Sequence, residues 1–213
     1  MAMTYTELKA AINSYSENSF DTTDIDTFIQ QAEQRIFNTV QLPDLRRNQV
    51  GNTTSGNKYL TTPSDWLSTY SLAVVDSNNE YTYLINKDVN FIRESFPDTD
   101  SAFNGKPEYY AIFDDNTFIL GPTPDDNYTV ELHYFYYPTS IVTAGTSWLG
   151  DNFDTALFYG SLLEAAVFMK DDSDTVASYT AKYQEAMALL QNLGEGKNRR
   201  DAYRSGQERI PVR

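Results

Sequence analysis

Residues 153–170 read FDTALFYGSLLEAAVFMK, and apolar side chains fall on almost every side of a helix drawn through them. Asp151 and Asn152, just ahead of this stretch, are residue types that cap helix N-termini. A helix that is apolar nearly all round is buried on most sides by its neighbours. We therefore expect a central helix that runs to about Lys170 within a helical bundle.

Three further stretches have helical periodicity and could surround this central helix. A capping box, Thr4-x-x-Glu7, precedes the first, and Gly194 is expected to end the last. These helices are predicted over about residues 5–15, from Thr23 to Pro43, and from Asp174 to Leu193. We therefore predict a four-helix bundle made of residues 1–45 and 139–193, followed by a basic C-terminal tail, residues 194–213.

The segment between the two halves of the bundle, residues 46–138, is rich in Tyr, Thr, Phe, Val and Asn, which suit strands and turns. Alternation of apolar and polar residues predicts a long strand over 128–137. Turn-forming residues at 76–80 and at 114–116 separate shorter strands and indicate two hairpins. The expected fold is therefore α+β: a four-helix bundle with an inserted antiparallel β domain and an extended C-terminal tail.

Composition excludes several kinds of active site. The 213 residues include no Cys and one His, so disulfides, Cys-ligated metal centres, thiol nucleophiles and His-rich metal sites are ruled out. No phosphate-binding Gly-rich motif, nucleophile elbow or His-Glu-x-x-His motif occurs. Residues 156–169, the most apolar stretch, are too short and too polar to span a bilayer. We predict that the chain is not an enzyme, uses no metal or cofactor and does not enter a membrane.

The charge is unevenly spread along the chain. Residues 194–213 contain six basic and three acidic side chains, whereas the other 193 residues contain 10 basic and 27 acidic ones, so the net charges are +3 and −17. An acidic body repels nucleic acid and anionic membranes, and a basic tail on such a body suits an acidic surface of another protein. The candidate partner-binding residues are Lys197, Arg199, Arg200, Tyr203, Arg204, Arg209, Ile210, Pro211, Val212 and Arg213.

Aspartates cluster in three predicted turns, at Asp114 and Asp115, at Asp125 and Asp126, and at 171–174. Paired carboxylates can bind metals or supply the acid and the nucleophile of a glycosidase. Asn, Gly, Pro or Ser stands beside each cluster, however, and turn or helix-cap chemistry accounts for Asp in such places. We interpret them as turn and cap residues.

Aromatic side chains of the β region are interpreted in the same way. Tyr134–Tyr137 could stack on bases or sugars, but base stacking normally comes with a basic groove, and this region is acidic. We expect these rings to lie in the core or at a protein interface, and His133 to have a structural role. Trp66 is expected either in the core or as an anchor on a partner.

Four segments, in this order, resemble head-to-tail adaptor (head-completion, or connector) proteins of tailed bacteriophages. They are Tyr59–Leu67, Phe113–Pro122, Trp148–Asn152 and Leu157–Lys170. The resemblance implies a ring, commonly of twelve copies, beneath the portal ring that closes the DNA-filled head. In such proteins the helical bundle builds the ring, the C-terminal segment reaches the portal, and the β part faces the tail.

The resemblance also implies the partners. They are the portal protein, a tail component such as a nozzle or terminator protein, and other copies of the same chain. Phage DNA would pass through the channel without sequence-specific binding, and the protein, made in the host cytoplasm, would reside in the virion neck. The tail residues named above would bind the portal, and Asp114, Asp115, Asp125 and Asp126 could belong to a tail-side interface. Two alternatives stay open: a glycan-acting enzyme with an aromatic and carboxylate cleft, and an acidic DNA mimic.

Overall fold

The structure is a computed structural model that describes residues 3–40, 42–97 and 100–197. These residues form seven α-helices and two four-stranded sheets, which confirms the predicted α+β class. The chain divides into two compact units. A helical unit contains the described residues up to Leu45 and from Pro138 onward, and a β unit contains Arg46–Tyr137. No described helix combines the length and the apolar character needed to cross a membrane.

The elements follow one another along the chain with short connections. The helices are α1 (Tyr5–Tyr15), α2 (Thr22–Thr39), α3 (Val89–Ser95), α4 (Ile141–Ala144), α5 (Trp148–Asn152), α6 (Asp154–Met169) and α7 (Ser173–Lys197). The strands are β1 (Arg46–Asn52), β2 (Tyr59–Thr61), β3 (Ser68–Val75), β4 (Tyr81–Tyr83), β5 (Ile85–Asn86), β6 (Tyr109–Asp114), β7 (Thr117–Gly121) and β8 (Thr129–Phe135). Two short 3₁₀ helices cover Pro43–Leu45 and Ser101–Phe103.

Helix α6 is the central helix of the helical unit, in contact with α1, α2, α5 and α7. At Gly160 the neighbouring helices come so close that an added Cβ would lie 3.1 Å from the ring of Tyr183 and 3.2 Å from the Cβ of Ala32. A residue without a side chain is needed there because α2 and α7 both pack on α6 at this level. The C-terminal end of α6 is less enclosed, since Val167 and Phe168 are 61% and 56% exposed.

Two helix starts have the capping interactions that the sequence predicts. At α1, the hydroxyl of Thr4 accepts a hydrogen bond from the backbone N–H of Glu7, and the Glu7 carboxylate accepts one from the N–H of Thr4 at 2.8 Å. At α7, the carboxylate of Asp172 accepts hydrogen bonds from the N–H groups of Asp174 and Thr175. Both helices therefore begin where side chains satisfy their first backbone donors.

The predicted end of α7 is wrong. The helix does not stop at Leu193 but continues through Gly194 to Lys197. Gly194 is buried, four residues after the buried Leu190, so both lie on the face of the helix that packs into the unit. The glycine is therefore part of a packed helix face rather than of a terminating turn.

In the β unit, two sheets enclose one core. Their strand orders are β1-β8-β3-β4 and β2-β7-β6-β5. Neighbouring strands are antiparallel except β5 and β6, which pair in parallel, a departure from the purely antiparallel prediction. Parallel neighbours need a crossover connection, and α3 with the loop after it supplies one between β5 and β6. Both predicted hairpins and the long strand are confirmed as β3–β4, β6–β7 and β8.

The core of the β unit takes side chains from both sheets. Its buried members are Leu72, Val74, Leu84, Tyr110, Phe118, Leu120, Val130, Leu132 and Tyr134. Alternate residues of β8 supply three of them, as expected for a strand with one buried face.

Candidate interaction surfaces

The first candidate surface is the basic C-terminal tail, of which the structure describes the base. Lys197 ends α7, where its Nζ donates a hydrogen bond to Oδ2 of Asp44 at 2.6 Å and lies 5.0 Å from the centre of the Trp148 ring. This cation therefore ties the end of α7 to its own helical unit. The other predicted portal-binding residues lie outside the described part of the chain: Arg199, Arg200, Tyr203, Arg204, Arg209, Ile210, Pro211, Val212 and Arg213.

The predicted tail-side aspartates form two separate patches, one at each end of β7. Asp114 closes the β6–β7 turn, and its Oδ1 accepts a hydrogen bond from the backbone N–H two residues later at 2.9 Å. Asp125 Oδ1 accepts a hydrogen bond from the hydroxyl of Tyr128 at 2.6 Å, and this is the main reason why the pKa of Tyr128 is raised to about 12. Asp115 and Asp126 stand beside them, and all four side chains are exposed.

Two observations within the described ranges bear on the enzyme alternative. Within the described ranges, no group of three or more Asp, Glu or His side chains could hold a metal ion. A pocket of the β unit is lined by Asp76 and Asp126, but Lys106 donates a hydrogen bond to Asp76 there at 2.8 Å. That hydrogen bond lowers the pKa of Asp76, whereas a glycosidase acid needs a carboxyl group with a raised pKa.

His133 and Trp66 pack against other aromatic rings of the β unit. The ring of His133 meets that of Tyr70 edge-on, with centres 5.0 Å apart. Burial lowers the pKa of His133, and the nearby Arg46 lowers it further. The ring of Trp66 packs edge-on against the buried Phe118 with centres 5.4 Å apart, so Trp66 is a half-buried residue that packs against the core.

A surface that the sequence did not indicate lies where the two sheets end side by side. Strand β1 is the end strand of one sheet and β2 of the other, so neither has a partner strand on its outer side among the described strands. Residues 49–51 and 60–63 line an open pocket of about 130 Å³ between them, and core residues Phe118, Val130 and Leu132 form its floor. We call this pocket, with the outer edges of β1 and β2, the edge slot.

One hydroxyl group in the edge slot is buried without a hydrogen-bond partner. Thr62 is 7% exposed, and its Oγ1 makes no hydrogen bond within the described part of the chain. Its backbone N–H donates to the carbonyl oxygen of Asn116 at 2.8 Å, which fixes the residue beside the turn between β6 and β7. A buried polar group left unpaired costs about 1–3 kcal/mol, so this hydroxyl is a feature that a bound group could satisfy.

Comparison with known families identifies the chain. The family model described as SU10 adaptor protein matches residues 3–210. The chain belongs to the SU10 adaptor protein family. The match spans both the helical unit and the β unit, and it confirms the resemblance to phage head-to-tail adaptors at the level of the family. No curated protein matches the chain.

Membership of the SU10 adaptor family establishes a coarse function. The protein is a bacteriophage adaptor that takes part in virus assembly, interacts with head and tail components and is a component of the virion.

The sequence indicates the acidic turns and the basic tail but not the edge slot. Residues 46–52 read RRNQVGN and show no alternation of apolar and polar side chains, so they carry no strand signal of their own.

Proposed function

We propose that this SU10 adaptor family member is a structural, non-enzymatic connector of a phage neck. Copies of the chain form a ring, commonly of twelve, that joins the portal of the DNA-filled head to the tail. The observation that carries the proposal is the family match over residues 3–210, which includes both compact units and most of the basic tail. Its mechanism is binding and assembly, with no bond made or broken.

The net negative charge of the chain ahead of the tail supports a role in which DNA passes the protein without binding to it. The 193 residues ahead of position 194 carry a net charge of −17, from 10 basic and 27 acidic side chains. Affinity for nucleic acid comes largely from basic side chains that neutralise phosphates, so a ring of such bodies repels the duplex. DNA can then slide through the channel without adhering to its wall.

The portal-binding element in this proposal is the segment after Lys197. Residues 198–213 include five arginines, together with Tyr203, Ile210 and Val212, which could fill apolar niches on the portal. Sixteen extended residues reach up to about 55 Å, enough to pass along a neighbouring subunit. Single exposed ion pairs contribute about 0–1 kcal/mol each, so the affinity of the complex would come from many copies closing into one ring.

Electron microscopy of the full chain mixed with portal rings of the same phage tests this proposal. We expect stacked double rings with the full chain and none with a chain truncated after Lys197. The truncation keeps Lys197 because this residue holds α7 to Asp44. Lys182→Gln, which removes an exposed cation of the body without touching the tail, should still give double rings.

Two results would contradict the proposal in different ways. Absence of double rings with the full chain would remove the connector role itself. Double rings formed equally well by the truncated chain would keep the connector role but show that the tail is not the docking element. Unchanged helix content by circular dichroism would verify that the truncated chain remains folded.

A further inference from the structure

The edge slot offers a free backbone edge on β1. The N–H of Thr53 donates to the carbonyl oxygen of Tyr128 at 2.9 Å, and the pairing of β1 with β8 continues from there in unbroken register. Hydrogen bonding to the partner strand alternates along an antiparallel pair. The N–H and C=O groups of Asn48, Val50 and Asn52 therefore point away from β8. An incoming strand could bond to them without displacing any of the strands that the structure describes.

The slot also opens into the apolar core. Gly51 lines it on the β1 side, and a Cβ added to this residue would meet nothing within 4 Å. The floor consists of Phe118, Val130 and Leu132, which belong to the core between the sheets. An incoming strand presents alternate side chains to this face, so one apolar side chain could enter the pocket and bury its surface there.

The unpaired hydroxyl of Thr62 is an independent sign of a missing partner. This group is 7% exposed and lies in the wall of the slot opposite β1. Buried polar groups in folded proteins are nearly always hydrogen-bonded. A backbone or side-chain group of a bound segment would satisfy it.

Charge at the two ends of the slot indicates the chemistry of the segment. Hydrogen bonds place Asn116 beside Thr62 and Pro124 beside Gly56, and the two aspartate pairs lie just beyond these points. Six residues separate Gly56 from Thr62, so the two points lie at most about 22 Å apart. Within the described part of the chain, none of these four carboxylates forms an ion pair. The β unit as a whole has six basic and thirteen acidic residues.

We propose that the edge slot is a strand-acceptor site for an extended segment of a tail-side protein. The segment adds to the outer edge of β1, places an apolar side chain in the pocket and a hydrogen-bonding group at Thr62, and carries Lys or Arg residues about six to eight positions apart. Backbone hydrogen bonds supply affinity in such strand addition, and the pocket and the end charges supply specificity. The assignment to the tail side rests on the proposed function, whereas the site itself does not.

The first experiment tests the site with a defined probe and the full chain. The probe is the capped peptide Lys-Thr-Val-Thr-Leu-Thr-Val-Thr-Lys, titrated to millimolar concentration and followed by NMR. We expect shifts in Arg46–Asn52. Val50→Pro, which removes an N–H that faces the open side, should weaken binding at least tenfold, and the matched Val50→Thr should bind like the wild type. A peptide with Glu at both ends should also bind at least tenfold more weakly.

The same experiment has a form that needs no variant of the protein. Two versions of the probe peptide are made, one N-methylated at its odd positions and the other at its even positions. In a strand bound to β1, the backbone N–H groups of only one of these two sets face β1, so only one version loses the donors that bind. One should lose binding and the other keep it. Absence of shifts at millimolar peptide, equal binding by the two methylated peptides, or undiminished binding to a folded Val50→Pro chain would overturn the proposal.

The second experiment tests the occupant. Filled heads that carry rings of wild-type, Val50→Thr or Val50→Pro protein are mixed with tails of the same phage, and joined particles are counted by electron microscopy. We expect at least a tenfold loss for Val50→Pro alone. If wild-type rings do not attach to heads, the proposed function fails. If all three join tails equally, the inference fails and the proposed function stands. If Val50→Pro prevents ring closure, the occupant is a second copy of the chain, which also overturns the inference.

Discussion

Glu33 is a carboxylate in α2 that is 3% exposed, and its replacement gives a sharp test of how the helical unit is held together. Its Oε1 accepts a hydrogen bond at 2.9 Å from the N–H of Ile141, the first residue of α4, and the side chain of Ser140 also hydrogen-bonds to it. Glu33→Ala leaves the buried N–H of Ile141 without a partner, which costs about 1–3 kcal/mol. Glu33→Gln keeps an acceptor oxygen and should cost at most about 1 kcal/mol.

The pH dependence of the Glu33 variants has a defined sign. Burial raises the pKa of Glu33, and the hydrogen bonds from Ile141 and Ser140 oppose that rise only in part. Because the pKa is higher in the folded than in the unfolded chain, the contribution of Glu33 to stability is fully present below the unfolded pKa. It is lost as the pH rises through the folded pKa. The stability of Glu33→Gln relative to the wild type should therefore improve as the pH rises above 4.5, the ordinary pKa of Glu.

Thermal unfolding followed by circular dichroism at 222 nm measures both effects, since Glu33 lies in the helical unit. For a chain of this size about 1 kcal/mol shifts the Tm by roughly 2–4 °C, so Glu33→Ala should lower the Tm by roughly 2–12 °C. A loss for Glu33→Ala no greater than that for Glu33→Gln would refute the role of the hydrogen bond. A relative stability of Glu33→Gln that falls as the pH rises would refute the assignment of a raised pKa.

Two further predictions concern packing and hydrogen bonding. Gly160→Ala should destabilise the helical unit by about 1–3 kcal/mol because the added Cβ would press on Tyr183 and Ala32. The matched control Gly196→Ala, whose added Cβ would meet nothing within 4 Å, should be neutral or stabilise α7 by at most about 1 kcal/mol. Equal effects of the two on chemical denaturation would contradict the packing argument. A pH titration of ¹³C-labelled tyrosine by NMR should show Tyr128 with a pKa of about 12, and Asp125→Asn should lower it toward 10.0. An unchanged titration in that variant would disprove the hydrogen bond as the cause.

The parts of the fold that could be predicted from sequence are those that carry their signal locally. Helix α6 is apolar over four turns, and the capping box of α1 lies within four residues, so neither requires knowledge of distant contacts. The end of α7 could not be predicted because Gly194 is read as a stop unless its burial is known. Strand β1 exists only through its pairing with β8, about 80 residues later, and its own residues are mostly exposed.

The same long-range pairing explains why the edge slot could not be predicted, although the aspartates at its ends could. Asp114, Asp115, Asp125 and Asp126 stand out in sequence as turn residues. That they flank one slot depends on β2 lying beside β7 and on the segment after β1 bonding to the turn that follows β7. Local chemistry thus predicts which residues are charged and exposed, and topology decides which of them act together.

An open strand edge is also a liability, because a free edge can pair with another copy of the same sheet. The basic residues of β1 lie at its first end, where Arg46 stacks over Tyr70 at 4.2 Å and Arg47 pairs with Asp65 at 2.7 Å. The rest of the strand, residues 48–52, carries no charge that could repel a neighbour. The carboxylates at the ends of the edge slot supply that protection, since two β units brought edge to edge would bring like charges together. A basic segment meets the opposite sign at the same positions. The same carboxylates therefore disfavour pairing between two copies of the β unit and favour the binding of a basic strand. The site thus discriminates between these two partners by repelling one and attracting the other.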